Sequence, residues 1–451
     1  MLSAEKRAEI FETMPVRKAV LHQVAPSILS QMVALLYNLA DTYFVGLLNA
    51  PVQTAAVTVS TPPFLMLTAI SNLFGVGGAS AISRALGRKE PEKAKQIAAV
   101  SFWLGLCAAV LFCGLFALLA APILTLCGAK GDTLGVALGY TRWTIIAGGV
   151  GTVLNILLAN LVRSEGNASM ASFGVSLGGI LNIILDPFFV LPQYLNMGAA
   201  GAGLATAISN LCATAFLLCY LIWSKSTVLH LATQDLRYTG EHLKNILSVG
   251  FPSCLQFALT VVATAAQGRF VAKYVTEAIA ALGIVKKIDM LPLYVCLGIS
   301  TGLLPMLAYN YAAGNQTRRR QAFRFGCTIA VGFALICVVV FEIFAPQLTR
   351  IFIDDATTVM YAAKFLRRMV LAMPLMSLCY PMIIQFQAMG KARESLICSI
   401  LRKGVLDIPL LFIMDALLPL YGCMWVQPIV DTIALSAALI LYKKLKDSEK
   451  V

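Results

Sequence analysis

Long apolar stretches separated by short polar segments run through the whole chain. Residues 42–83, 96–129 and 187–224 contain no Asp, Glu, Lys or Arg. A helix needs about 20 mostly apolar residues to cross the roughly 30 Å hydrocarbon core of a bilayer. The pattern therefore predicts an all-α polytopic membrane protein with twelve transmembrane helices, bounded by charges, prolines and glycines. The predicted helices are 19–47, 53–83, 96–124, 134–162, 168–191, 198–224, 245–273, 277–310, 325–347, 357–389, 394–416 and 420–443.

The composition of the 451 residues agrees with a membrane protein. Hydrophobic residues make up 59% and charged residues 13% of the chain, and the mean hydropathy is +0.80. Soluble domains carry about 25% charged residues, so an ordinary soluble fold is excluded. The twelve Cys occur without a CxxC motif and beside only three His. We therefore expect the cysteines to act as small hydrophobic residues, with neither a disulfide scaffold nor a cofactor.

Basic residues alternate between the two sides of the predicted topology. One side holds 23 Lys and Arg, including both termini, and the other holds seven. Positively charged loops stay in the cytoplasm, so we expect both termini there and the protein in the inner (cytoplasmic) membrane. The net charge of +13 is spread over short loops, which indicates membrane topology and no nucleic-acid partner.

The chain contains an internal repeat of about half its length. Pro26-Ser27 matches Pro252-Ser253 at an offset of 226, and Gly166 matches Gly390 at an offset of 224. Six helices per half give both halves the same orientation, so the pseudo-two-fold axis follows the membrane normal and a cavity lies between two pseudo-symmetric six-helix lobes. The predicted parts are a cytoplasmic N-terminus (1–18), an N-lobe (19–224), a cytoplasmic loop (225–244), a C-lobe (245–443) and a cytoplasmic tail (444–451).

Two carboxylates in apolar segments of the N-lobe stand out, because an ionisable side chain at membrane depth costs about 2.5–3.5 kcal/mol. Asp41 follows Tyr37 by one helical turn, and Asp186 follows Asn182 by the same spacing. Thr206 lies in the next helix after a glycine-rich turn. Carboxylate, amide and hydroxyl oxygens suit a hard cation such as Na⁺, or a shared proton. The alternative is that each Asp only satisfies a polar group on a neighbouring helix.

The C-lobe lacks this pair of acids. Gln267 stands at the position of Asp41, Asp407 at that of Asn182, and Leu411 at that of Asp186. If coupling needs a titratable pair, we expect it in the N-lobe.

The other acids of the C-lobe can be explained by their neighbours in the sequence. We expect Lys286 and Lys287 to neutralise Asp289, and an intrahelical pair between Asp407 and Lys403 or Arg402. Asp431, near the 416–420 turn, is expected to be solvated.

An ordered series of motifs resembles the multidrug and toxic-compound extrusion (MATE) transporters over nearly the whole chain. The motifs are Pro26 with NLADTYFVG (38–46), SRALGRKEPEKA (83–94), LVRSEGNASM (161–170), LNIILDP (181–187) and LPMLAYNYAAGN (304–315). The resemblance implies a secondary antiporter that exports organic, often cationic, small molecules in exchange for Na⁺ or H⁺.

The resemblance also implies roles for single residues. The cation site of the family's bacterial and archaeal branches corresponds here to Asp41, Asn182, Asp186 and Thr206. Tyr37 is similar to a position beside that site, and Pro26 to one at which the first helix bends. Another branch carries acids in the C-lobe, but this chain has Gln256 near the first of them and no acid within 369–390.

A substrate cavity rich in Met and aromatic side chains adapts to many shapes. Its candidate residues are Tyr37, Phe64, Met66, Gln256, Met290, Tyr294 and Met306, although such residues on membrane helices are more often packing residues. We expect the transporter to act as a monomer.

Three other classes of membrane protein have their own sequence requirements. A lipid-linked oligosaccharide flippase of the same superfamily shares the architecture and would bind pyrophosphate with basic residues such as Arg269, Lys286, Lys287, Arg402 and Lys403. An intramembrane enzyme would need HExxH, GxSxG or paired Asp-rich metal motifs, and none is present. A nucleotide-driven pump would need GxxxxGK[ST], which is also missing.

Overall fold

The structure, a computed structural model, describes residues 8–224, 227–271, 273–353 and 355–448. The described residues form fifteen α-helices, short π- and 3₁₀-helical turns, and no strands. The helices are α1 (Val16–Gly46), α2 (Pro51–Gly87), α3 (Pro91–Leu126), α4 (Asp132–Thr141), α5 (Gly149–Ser164), α6 (Ala168–Val190), α7 (Ala199–Trp223), α8 (Thr239–Val271), α9 (Thr276–Ala312), α10 (Gln316–Arg350), α11 (Ala356–Met369), α12 (Met373–Ala388), α13 (Ala392–Arg402), α14 (Asp407–Leu417) and α15 (Gly422–Ser448).

The polytopic all-α fold predicted from the sequence is confirmed. Within the described ranges, ten helices are long and apolar enough to cross a membrane, with α11 and α12 joined as one through Val370–Ala372. An eleventh span is the pair α4 and α5, which bends by 47° around a π-helical segment at Arg142–Ala147. The twelfth predicted span, 394–416, is not one continuous helix. It is divided into α13 and α14 by a turn over residues 403–406, and each part has 11 residues.

The basic segment 318–324 is helical and not a loop. Helix α10 begins at Gln316, nine residues before the predicted start, because the side chain of Asn315 accepts a 3.1 Å hydrogen bond from the backbone N–H of Arg318. A side chain at this position satisfies one of the free N–H groups at a helix start. Arg318 and Arg319 are therefore buried in the first helical turn.

The two halves of the molecule, α1–α7 and α8–α15, meet through glycines. A Cβ added to Gly77 of α2 would lie 2.2 Å from the carbonyl oxygen of Ile246 on α8. Gly298 and Gly302 of α9 are pressed in the same way against the backbone of α1. These contacts lie toward the N-terminal ends of α1 and α8 and the C-terminal ends of α2 and α9, the end predicted to be cytoplasmic. At the other end, no described residue outside the helix's own backbone comes within 4 Å of a Cβ added to Gly268 of α8. The lobes are thus closed together at the predicted cytoplasmic end.

An N-terminal segment, Ile10–Met14, strengthens this closure. The guanidinium of Arg318 donates hydrogen bonds of 2.6–3.0 Å to the carbonyls of Ile10, Phe11 and Met14. The Phe11 ring stacks on Tyr309 of α9, with 4.7 Å between ring centroids. Glu12 pairs with Lys89, which follows α2. The segment therefore ties the N-terminal half to the C-terminal half.

Candidate functional site

Helices α6 and α7 bring three of the predicted site residues together. The Asn182 amide donates a 3.4 Å hydrogen bond to Asp186 Oδ1, one helical turn away on α6. It also lies 3.3 Å from the hydroxyl oxygen of Thr206 on α7. All three side chains are buried, and Asp186 has no solvent exposure. The residues predicted on two separate segments therefore form one polar cluster.

Small residues allow the site helices to approach closely. A Cβ added to Gly179 of α6 would lie 2.6 Å from Val33 and 3.3 Å from Tyr37, both on α1. On the other side of α6, one added to Gly178 would lie 3.1 Å from the Ser209 carbonyl oxygen of α7. Small residues at such positions let membrane helices pack backbone to backbone. This packing places the acid of α1 beside the polar cluster.

The site contains carboxylate oxygens that no described residue satisfies. Asp41 Oδ1 and Asp186 Oδ2 are buried without a hydrogen-bond partner in the described part of the chain, and so is Asn182 Oδ1. Asp41 and Asp186 lie close enough for their charges to interact. Among the described residues, no Lys or Arg forms an ion pair with either carboxylate. Buried charges are normally paired, so this all-oxygen group can hold a hard cation or a proton.

Two tyrosines border the acids. Tyr37 lies near Asp41, as its spacing predicted, and it also faces Tyr294 of the C-terminal half. Tyr140, the last residue but one of α4, is buried and close to both Asp41 and Asp186. The sequence did not single out Tyr140, because its only polar neighbour one turn away is Thr144, and no acid or amide shares that spacing. Only the packing of α4 against α7 reveals it.

The predicted cavity residues are in different environments. Met66, Met290 and Tyr294 are partly exposed. Phe64 packs on a core cluster of the N-terminal half that includes Leu67. Two further residues line no open space in this conformation, because Gln256 is 6% exposed and Met306 is 0% exposed.

Pro26 lies inside α1, which runs without interruption from Val16 to Gly46. A proline removes one backbone N–H from the helix and weakens it locally. The bend predicted at this position is therefore compatible with the sequence of α1, and it stays a prediction.

An all-helical membrane-spanning fold of two pressed-together halves, with two neighbouring acids inside one of them, defines the class of multi-pass membrane transporters. The model of the MatE family matches residues 26–188 and again 252–413, once in each half. The chain belongs to the MatE family. The double match also agrees with the internal repeat found in the sequence.

Relatives match almost the full chain. The multidrug export protein MepA of Staphylococcus saprophyticus is 32% identical over 437 residues, which cover 97% of this chain and 96% of that protein. MepA of Staphylococcus aureus strain MRSA252 is 30% identical over 443 residues, with the same coverage. A solved outward-facing conformation of a multidrug resistance MATE family transporter superposes with a TM-score of 0.92, at 27% identity and 99% coverage of each chain.

Proposed function

We propose that this protein is a secondary antiporter that exports diverse organic compounds, many of them cationic, in exchange for Na⁺ or H⁺. The observation that carries the proposal is the pair of acids, the partly buried Asp41 and the fully buried Asp186, for whose free oxygens the described residues supply no basic partner. The multidrug export function of the MepA relatives supports the substrate class.

The acid pair supplies a coupling mechanism. Two carboxylates close together in a buried site repel each other, so one of them must bind a proton or share a cation. A cation that enters from outside relieves this repulsion, and its release to the cytoplasm restores it. One elementary charge that crosses 100 mV contributes about 2.3 kcal/mol to such a cycle. The ion gradient supplies the energy, so the cycle does not need nucleotide hydrolysis.

The closure of one end supports a mechanism of alternating access. The lobes are pressed together where the cytoplasm is predicted, through contacts such as the 2.6 Å hydrogen bond from the Ser80 hydroxyl to the Gln387 carbonyl. An inward-facing state must break these contacts and form others at the opposite end. We propose that the transporter does so as a monomer in the cytoplasmic membrane, with both termini on the cytoplasmic side.

The flippase alternative is less favoured. A pyrophosphate site needs basic side chains that are free to bind an anion, but Arg402 pairs with Asp431 at 3.1 Å and Lys403 donates to Gln427 at 2.5 Å. Both cations are thus already bound inside the C-terminal half. The relatives named above are multidrug export proteins, which agrees with this choice.

Reconstituted vesicles test the proposal. The purified protein is placed in liposomes, and the transport of a cationic dye is followed under an imposed Na⁺ gradient at constant pH or an imposed pH gradient without Na⁺. Dye movement driven by one of the two gradients supports the antiporter. If neither gradient drives the transport of any dye in a panel of cationic dyes, the proposal is overturned. Turnover of lipid-linked oligosaccharide in the same vesicles would support the flippase.

A further inference from the structure

The C-terminal half contains a small polar cavity at the position that the repeat assigns to the acid site. Gln267, Asp407 and Leu411 are the repeat counterparts of Asp41, Asn182 and Asp186, and all three line this cavity. The two matches to the family model begin 226 residues apart and end 225 apart, in agreement with these offsets. The remaining lining residues are Ala263, Thr264, Lys403, Val426 and Gln427.

The cavity is small, and the Lys403 side chain forms part of its wall. Its volume is about 30 Å³, which is enough for roughly one water molecule. The ammonium of Lys403 donates a 2.5 Å hydrogen bond to Gln427 Oε1 on α15. Gln267 donates its amide to the Cys423 carbonyl at 3.1 Å, which leaves its own Oε1 available to the cavity. The Lys403 ammonium therefore contacts one amide oxygen at a cavity that Gln267 and Asp407 also line, and amide and carboxylate oxygens are ligands for Na⁺.

A break in the backbone places Lys403 in this position. Helix α13 ends at Arg402, and Gly404 adopts a φ of +126°, which favours glycine. Asp407 Oδ2 accepts a 2.9 Å hydrogen bond from the Gly404 N–H and so fixes the turn. In the N-terminal half, α6 continues through the equivalent region, and the counterpart of Lys403 is Gly178. The two halves therefore differ in the presence of a cationic side chain at this point.

The charges around the cavity are balanced. Arg402 and Asp431, both buried, form an ion pair of 3.1 Å, which corrects the expected Arg402–Asp407 pair and the expected solvation of Asp431. Lys403 lies close enough to Asp407, Asp431 and Asp289 for their charges to interact, and Lys286 lies near Lys403 and Asp289. The ionisable groups are three cations, Lys286, Arg402 and Lys403, and three carboxylates, Asp289, Asp407 and Asp431. Another cation would add an uncompensated charge, which is costly in a buried site.

We infer that the C-terminal half carries a second cation site, the counterpart of the acid site, which the chain occupies permanently with the Lys403 ammonium. Lys403 acts as a tethered substitute for an exchangeable monovalent cation, so only the N-terminal site exchanges ions. Removal of this ammonium leaves a vacant site for Na⁺ formed by oxygens of Gln267, Asp407 and Gln427. The inference rests on the proposed function only in that it treats Asp41 and Asp186 as the exchanging site.

Ion binding tests this inference without any transport measurement. Equilibrium binding of ²²Na⁺ to the purified full chain is compared for the wild type, Lys403→Met and Lys287→Met. Lys287 is exposed on α9 and undergoes the same loss of charge outside the cavity. We expect Lys403→Met to bind one more Na⁺ per chain than the wild type, and Lys287→Met to bind the same number. Adding Asp407→Asn to Lys403→Met should remove the additional site.

The outcomes separate this inference from the proposed antiport. A folded Lys403→Met protein that binds no additional Na⁺ overturns the second site, whatever the acid pair does. If the variant does not fold, Lys403→Ala is purified with ethylammonium, whose cation can fill the vacated space, or with ethanol. Recovery with ethylammonium alone supports the site, and equal recovery with both, or with neither, contradicts it. If the wild type shows no gradient-driven export, this result instead contradicts the proposed antiport and leaves the second site untouched.

Discussion

Gly250 of α8 packs directly against the backbone of Leu73 on α2. A Cβ added to Gly250 would lie 1.7 Å from the Leu73 carbonyl oxygen, and a backbone atom cannot move aside as a flexible side chain can. This is the tightest of the contacts described here between the two halves, and it lies at the closed end. The closed conformation therefore requires the absence of a side chain at position 250.

Gly250→Ala should oppose closure of this end. Overpacking of a tight contact costs about 1–3 kcal/mol, so the closed state should lose population about 5- to 150-fold relative to states in which α2 and α8 separate. We expect a lower thermal unfolding temperature for the purified protein and slower dye export. Gly268→Ala on the same helix is the matched control, because no described residue beyond the helix's own backbone lies within 4 Å of its added Cβ. Equal behaviour of the two variants would show that the Gly250 contact does not limit closure.

Asp41→Asn and Asp186→Asn should each uncouple export from the ion gradient and leave the fold intact. Each change removes an uncompensated buried charge and creates none, so the unfolding temperature should not fall. Gradient-driven dye export should decrease by about tenfold or more, equivalent to at least about 1.4 kcal/mol of coupling. Asp132→Asn, an exposed acid at the start of α4, is the control in the same vesicle assay. Normal export by both site variants would mean that the acids only satisfy polar neighbours.

Breaking the buried pair between Arg402 and Asp431 should strongly destabilise the C-terminal half. Arg402→Ala leaves the Asp431 carboxylate buried without its partner, at a cost of about 3–5 kcal/mol in unfolding free energy. The double change Arg402→Met with Asp431→Leu should recover most of this loss, because neither charge remains buried. Denaturant unfolding in detergent measures both effects.

An exposed pair gives the comparison. Arg88 and Glu90 are 2.9 Å apart at the surface, and Arg88→Ala should cost less than about 1 kcal/mol. If Arg402→Ala costs no more than Arg88→Ala, the buried pair is not a main stabilising contact.

The N-terminal segment should lose part of its attachment in acid. The hydrogen bond from Lys89 holds the pKa of Glu12 below its ordinary value. A lowered carboxylate pKa stabilises the folded contact above the ordinary pKa of glutamate, and this contribution disappears as the pH falls through the lowered value. Glu12 is largely exposed, so the effect should be below about 1 kcal/mol.

Limited proteolysis of the N-terminus as a function of pH checks this expectation. Wild type should be more resistant than Glu12→Gln at neutral pH, and the difference should vanish in acid. Glu9→Gln, a change at the exposed acid directly before this segment, should cleave like the wild type. A difference between the wild type and Glu12→Gln that does not change with pH would rule out the titration of Glu12 as its cause.

Much of the architecture could be predicted from the order of residues alone. Apolar length, loop charge and the offset between Pro26 and Pro252 indicate a two-lobed membrane protein, because crossing a bilayer imposes a length that hydropathy reveals directly. One-turn spacing links Asn182 to Asp186, because helix geometry fixes which side chains share a face. These relations are local, or they repeat along the chain.

Contacts between distant segments were decided only by the tertiary structure. Tyr140 joins the acid site, and Arg402 turns to Asp431 rather than to Asp407, because helix packing and the break at Gly404 set the direction of each side chain. The closed end likewise depends on backbone contacts such as that of Gly250 with Leu73. The spacing of hydrophobic residues along the sequence does not predict such contacts. Hydropathy determines that a helix is buried in a membrane, but the partner of a buried charge depends on which helices meet, and at what depth.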